Sequence, residues 1–306
     1  MDSFHREAAD QFRVIYDVGA NNGDDIPYYL KKAHRVVAIE ANPDLCRHMR
    51  ARFAAEVSDG RLIVEHCALM ADCTNTMVPL YVHTLNHVKS LVQRPHVDAL
   101  RHYREVSVPS RSFLSILQEH GDPYYVKLDI EGQDVAVLRQ LFAAGIKPPF
   151  ISAESHSIEV LSVMIASGGY DAFKVVVGSS VARQFRNHGI STLAGRDTHS
   201  FPPHSAGPFG DDLPGDWMPG DLFFQQLAIT GLGWKDVHAT SAFEPNRHAR
   251  LSIWPHVTRR LARRCGLSRM KSRLPAFVRR ARRFFTPGRP PHAAQGRPIQ
   301  SRSFGE

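Results

Sequence analysis

The chain has 306 residues, 43% of them hydrophobic, enough to bury one large core and compatible with up to two domains. No apolar run approaches the ~20 residues of a membrane span, and the polar, mixed-charge start Met1-Asp2-Ser3-Phe4-His5-Arg6-Glu7 leads us to expect no signal peptide. The net charge of +8 conceals an asymmetry: 16 of 38 Lys and Arg but one of 30 acids fall in 247–306, a balance of +15 there and −7 in the rest.

The first predicted strand, near 13–18, ends in Asp17-Val18-Gly19-Ala20-Asn21-Asn22-Gly23. An acid closing an apolar run, followed by two glycines, ends a buried strand in a tight turn that leaves a carboxylate and backbone N–H groups facing a ligand. The dinucleotide fingerprint needs G-x-G-x-x-G so that the backbone can approach a pyrophosphate. Here its second glycine is missing, and Asp17, Asp24 and Asp25 would repel two phosphates. An acidic turn suits S-adenosylmethionine, whose ammonium and sulfonium are cationic.

A helix near 24–33 follows, then a strand near 35–40 that ends in Glu40. The interval from Asp17 to Glu40 is that of a strand-helix-strand unit whose second acid grips ribose hydroxyls. Beyond a helix near 43–56 come strands near 61–67 and 77–83 and a helix near 111–120. The strand near 124–130 carries Lys127, Asp129 and Glu131 on one side and runs into a helix near 133–144, where Val135, Leu138, Leu141 and Phe142 form an apolar stripe. A strand near 149–154, a helix near 157–168 and a strand near 172–177 complete the alternation. It predicts an α/β fold with a doubly wound, mostly parallel sheet in which the first strand is central. Gly121 and Gly145 close helices, and 221–237 reads as a final strand pair that carries Phe223, Phe224 and Trp234 into the core.

The segments DVGANNGD, VVAIEANP and YVKLDIEGQDVAVL, in this order and spacing, resemble the FkbM-type branch of the class I S-adenosylmethionine-dependent methyltransferases. The resemblance covers about residues 13–180 and loosens from 181 to 240. It implies a Rossmann-like fold and an O-methyltransferase acting on sugars, glycolipids or secondary-metabolite hydroxyls. Together with the local chemistry, it assigns Asp17, Gly19, Asn21 and Gly23 to the methionine end of the cofactor. Glu40, with Asn42 beside it, goes to the ribose, and Ala68, between Cys67 and Leu69, to the adenine. Asp129 faces the methionine or the acceptor.

Methyl transfer to a hydroxyl also needs something to take the proton. His156, whose ordinary pKa lies nearest neutrality, is the first candidate base, with Asp129, Glu131 and Glu154 as the carboxylate candidates. A Mg²⁺ shared by Asp129 and Glu154 is the less favoured alternative, since two carboxylates lack an evident third ligand, and no metal site is assigned. The structural alternatives are that His156 caps the helix near 158 and that Asp129 caps the one near 133. Cys46, Cys67, Cys73 and Cys265 form no C-x-x-C pair and read as reduced thiols, as in a cytoplasmic protein.

Residues 1–246 are therefore read as one methyltransferase domain. Within it 178–221, crowded with Gly, Pro and His, is either a lid over an acceptor or an ordered surface loop. The tail 247–306 interleaves Arg pairs with Trp254, Leu261, Phe277 and Phe284. It is read as partly amphipathic and partly disordered, and as able to lie on an anionic membrane at its cytoplasmic face. Nucleic acid is the lesser partner, because no stacking platform accompanies the charge. An RNA methyltransferase anchored by the tail, and an adaptor that keeps the fold without activity, are the alternative readings.

Overall fold

In the computed structural model the described residues are 12–70, 76–85, 90–130 and 132–248. Glu131, Cys73, Cys265 and all of the tail beyond His248 lie outside them. The strands are β1 Val14–Val18, β2 Arg35–Glu40, β3 Leu62–His66, β4 Ala68–Leu69, β5 Met77–His83, β6 Tyr103–Arg111, β7 Pro123–Leu128, β8 Phe150–Glu154, β9 Ala172–Val177, β10 His188–Thr192, β11 Gly195–His199, β12 Met218–Pro219 and β13 Lys235–Thr240. The helices are α1 Ile26–Lys32, α2 Pro43–Arg52, α3 Ala54–Ser58, α4 Phe113–His120, α5 Asp134–Ala143, α6 Ile158–Ala166, α7 Val181–Gln184 and α8 Gly220–Thr230.

The main sheet runs β12-β9-β13-β8-β7-β1-β2-β3. β3, β2, β1, β7 and β8 are parallel, and β13 enters antiparallel between β8 and β9. β1 is interior and buried at every residue, Asp17 included. Tyr16 and Val18 point into a core made with α4, α5 and α6, while Ile15 points to the opposite core with α1 and α2. The sheet is thus covered on both faces. α5 ends where expected: Gly145 N–H donates to Phe142 and Ile146 N–H to Leu141, with Gly145 left-handed at φ 73°.

Three regions depart from the sequence reading. A strand over Tyr103–Arg111 was not anticipated; it pairs with β5 in full register from Met77↔Pro109 to His83↔Tyr103 and, with β4, makes a small separate sheet. The segment after Asp221 is a helix followed by one strand, not a strand pair. Phe223 and Leu227, four residues apart, are buried, whereas Phe224 and Trp234 are 47% and 43% exposed; that spacing is helical.

The third departure is 178–221, which is a packed layer built from α7, the β10–β11 hairpin and β12. Its apolar content is core: Phe201 and Phe209 are buried around Tyr28, and Phe209 stacks on Tyr125 with ring centroids 3.8 Å apart. Lys32, buried in α1, pairs with Asp212 at 2.8 Å and Asp211 at 3.1 Å, and the Tyr28 hydroxyl donates to Asp212 at 2.7 Å. The glycines and prolines shape the turns of this layer instead of loosening it. Phe209→Ala should therefore cost about 3–5 kcal/mol of global stability in urea unfolding; an unchanged midpoint would mean that the segment does not share in the core.

Candidate active site

The carboxyl ends of β1, β2, β7 and β8 and the amino end of the antiparallel β13 meet at one edge, where open α/β sheets bind ligands. The β1 turn is built by three left-handed residues, Gly19 at φ 80°, Asn21 at 50° and Gly23 at 78°. Asn tolerates this conformation better than most side chains. At Gly19 no side chain fits, because a Cβ would lie 1.9 Å from the Asp129 carbonyl oxygen. Gly19 thus lets the chain leaving β7 pass directly against the turn. Gly23 serves packing, since a Cβ there would press on Ile26, Phe53 and Met49 at about 3 Å.

The turn does not present its N–H groups to a ligand, contrary to expectation. Those of Gly19 and Ala20 donate to the Ile39 carbonyl at 2.9 and 3.1 Å, that of Gly23 to Ala20 at 2.9 Å, and that of Asn21 to Glu40 Oε2 at 2.9 Å. Glu40 Oε1 accepts from Asn42 N–H at 2.7 Å. Glu40 therefore clamps the end of β2 to the turn. Burial pushes its carboxyl up to about 7 against these hydrogen bonds.

A cleft opens beside this clamp. Gly19, Asn21, Glu40, Ala68 and Asp129, all assigned to the cofactor from sequence, line it, as do Cys67 and Leu69. Leu80, Ser90 and Val92 complete the wall. The β5 strand was foreseen, but not that it faces the cleft. Asp17, Gly23 and Asn42 do not line the cleft. Asn42 is fully buried and caps α2, its side chain accepting from Asp44 N–H at 3.0 Å, and so serves helix geometry in place of the ribose.

Asp17 is 1% exposed and lies under the turn, 3.3 Å from Lys127 Nζ. Lys127, buried in β7, also donates to the Gly19 carbonyl at 3.0 Å and reaches Asp129 at 3.6 Å. Burial raises the Asp17 carboxyl against the pull of Lys127. Burial works to lower the Lys127 ammonium, but Asp17, Asp129, Asp25 and Asp236 outweigh it and hold the group well above its ordinary range. Asp25, pushed to about 6 chiefly by burial, is held by the Ser205 hydroxyl and by Ala206 N–H at 3.0 Å. Lys127 was noticed in the sequence only as a strand residue; a lysine inside Tyr124-Tyr125-Val126-Lys127-Leu128 was the signal that β7 carries a buried counterion.

The three proposed catalytic side chains come together. Asp129, Glu154 and His156 each place one polar atom within 4.8 Å of the other two, and His156 Nε2 lies 3.2 Å from Glu154 Oε2. Neither structural alternative holds. Ser157, not His156, caps α6, accepting from Glu159 N–H at 3.1 Å, and the residue tied back across the start of α5 is Asp134, which accepts from Ile130 N–H at 3.1 Å. Asp129 borders both the cleft and this cluster. Asp236 of β13, in register with Glu154, joins it from the neighbouring strand and was not anticipated.

Residues 17–164 match the family model described as the methyltransferase FkbM domain. That stretch is a methyltransferase domain of the FkbM type, a family that implies S-adenosylmethionine as methyl donor. No curated protein matches the chain. Among solved structures it is similar to methyltransferase FkbM from Methylobacillus flagellatus (16% identity, TM-score 0.37), covering 53% of this chain and 39% of that one. It is also similar to precorrin-8w decarboxylase from Methanobacterium thermoautotrophicum (11%, 0.35, covering 76% and 82%) and to precorrin-6y C5,15-methyltransferase from Geobacter metallireducens (10%, 0.31, covering 74% and 79%).

Lys127→Met should leave Asp17 buried without its cation and cost about 3–5 kcal/mol. The loss should be largest near pH 8 and shrink toward pH 4. A carboxyl whose pKa is raised in the folded state carries no charge at low pH and needs no partner there; the penalty grows as pH rises through the raised value. Urea unfolding at the two pH values measures this, and an equal loss at both would refute the counterion role.

Proposed function

We propose that the protein is an S-adenosylmethionine-dependent O-methyltransferase acting on a hydroxyl of a sugar, glycolipid or secondary metabolite. One observation carries the reading: a cleft whose charged lining residues, among the described residues, are the carboxylates Glu40 and Asp129 adjoins, through Asp129, a carboxylate–imidazole cluster. The fit to the donor rests on that acidity. With the N–H groups of Gly19, Ala20, Asn21 and Gly23 spent inside the protein, the charged groups that face a ligand in the cleft are the carboxylates of Glu40 and Asp129, which suit hydroxyls and an ammonium and repel phosphate.

When bound, S-adenosylmethionine supplies a methyl carbon activated by a sulfonium. Glu40 holds the ribose hydroxyls, and its two N–H bonds fix the direction in which its remaining lone pairs point. Asp129 holds the ammonium, while Leu69, Leu80 and Val92 cover the apolar part. His156 takes the proton of the acceptor hydroxyl, and Glu154, in contact with the ring, stabilises the imidazolium that results. The acceptor is held at the β8–β13 side of the cleft. No helix of the described residues is long and apolar enough to cross a membrane. We assign the basic tail, which lies outside those residues, to docking on an anionic membrane surface that presents a glycolipid acceptor. An RNA acceptor is the weaker reading, because residues 1–246 carry a net charge of −7.

Calorimetric titration of S-adenosylhomocysteine into the full chain tests the cofactor assignment. Glu40 needs its charge to accept from ribose as well as from two N–H groups, so binding displaces its proton. Affinity should rise with pH up to about 7 and level off above it. Glu40→Ala should weaken binding roughly 10- to 100-fold and flatten the profile. A wild type that binds nothing would refute the reading of the cleft; a Glu40→Ala variant that binds like wild type would remove Glu40 from it.

A further inference from the structure

We propose that Asp129, Glu154 and His156 bind a divalent first-row transition cation, with the carboxylate of Asp236 as their support. Their mutual spacing, within 4.8 Å, is what three ligands each about 2.0–2.2 Å from one ion require. Two carboxylates and an imidazole select an ion that accepts nitrogen, such as Mn²⁺, Fe²⁺ or Zn²⁺, over the all-oxygen preference of Mg²⁺. His156 is the third ligand that two carboxylates alone lacked.

Asp236 supplies independent support. It lies opposite Glu154 in the β8–β13 register, is 4% exposed, and makes no side-chain hydrogen bond or ion pair among the described residues. The carboxylates whose charge it feels are Asp129, Glu154 and Asp25. A buried carboxylate without a donor is costly, and the nearby cation, Lys127, is already committed to Asp17, Asp129 and the Gly19 carbonyl. Asp17, Asp129, Asp25 and Asp236 thus share one buried ammonium, with Glu154 a further carboxylate opposite Asp236, and a divalent ion beside Asp129 offsets the excess.

A second group with similar spacing sharpens the contrast. Glu65, Glu119 and His120 also lie within reach of one another, but Arg111 bonds Glu65 at 2.9 Å and Glu119 at 2.8 Å, and His120 bonds Glu65 at 2.9 Å. That cluster is neutralised by the protein itself and has no orphan carboxylate. At the proposed site, three protein ligands leave coordination positions for water or for oxygens of an acceptor. With the site occupied, His156 would serve as a ligand instead of the base, and the ion would lower the pKa of an acceptor hydroxyl bound to it, whose proton would pass to solvent water. The role of the ion in transfer rests on the methyltransferase reading; its binding does not.

The test is titration of chelator-treated full-length protein with MnCl₂, free Mn²⁺ being followed by its electron paramagnetic resonance signal. One ion should bind per chain. Binding should be lost in Glu154→Gln and in His156→Ala, weakened roughly 10- to 100-fold in Asp236→Asn, and unchanged in Glu119→Gln. Urea midpoints close to wild type establish that the variants are folded. S-adenosylhomocysteine titrated in chelator separates the two claims. A wild type that binds the nucleoside but no Mn²⁺ overturns the cation site and leaves the methyltransferase reading intact. Mn²⁺ binding without nucleoside binding does the reverse. Mn²⁺ binding that survives in a folded Glu154→Gln/His156→Ala double variant overturns the site.

Discussion

The interaction on which the ligand edge depends is the burial of Lys127 against Asp17. A lysine inside a parallel strand has no reason to be there on packing grounds, and an aspartate in the neighbouring strand has none either. Placed side by side at 3.3 Å, each offsets part of the cost of burying the other. Such a pair adds little net stability compared with an apolar pair of similar size, but breaking it is expensive. Its value here is positional. The same ammonium holds the Gly19 carbonyl and reaches Asp129, so one group ties the end of β1, its turn and the end of β7 into a fixed arrangement. The absence of a Cβ at Gly19 then lets the two chain segments touch.

The layers behind this edge keep it in place from both sides. On one face α4, α5 and α6 pack on Tyr16, Val18, Val126 and Leu128. On the other, the segment from Val181 to Trp217 closes over Tyr28 and Tyr125. That second layer reaches the edge itself, because Ser205 and Ala206 bond Asp25 just beyond the turn. Asp25 is thus kept close to Asp17 and Lys127 by residues 180 positions away in sequence, and the charge state of the edge is coupled to a layer that looks like a loop when read as sequence.

Regular periodicity made most of the sheet legible. The apolar runs of β1, β2, β7 and β8 and the stripe of α5 carry their structure in local pattern, and the strand-end residues Glu40, Asp129 and Glu154 stand out because an acid after an apolar run is rare without a use. What stayed hidden was decided by partners distant in sequence. Asp17 looked like a ligand residue, yet Lys127, 110 positions on, draws it under the turn. Asn42 looked like a neighbour of the ribose acid, yet the start of α2 claims its side chain. The N–H groups of the glycine turn looked free, yet Ile39 and Glu40 take them. Asp236 gave no signal, since its meaning lies in the antiparallel register that sets it beside Glu154. The layer 178–221 was misjudged because Gly and Pro were given more weight than Phe201, Phe209 and Trp217.

These displaced donors bear on the kind of ligand that the proposed reading gives the edge. A glycine turn that binds a pyrophosphate does so with unspent N–H groups at a helix N-terminus. In this chain the same kind of turn has turned the donors of Gly19, Ala20, Asn21 and Gly23 inward, and the acids that border the cleft are Glu40 and Asp129, while Asp17 and Asp25 are buried. The edge has become an array of acceptors. Hydroxyls, ammonium groups and metal ions satisfy acceptors; phosphates do not. The cofactor cleft and the Asp129–Glu154–His156 cluster are two consequences of that one inversion, continuous with each other through Asp129.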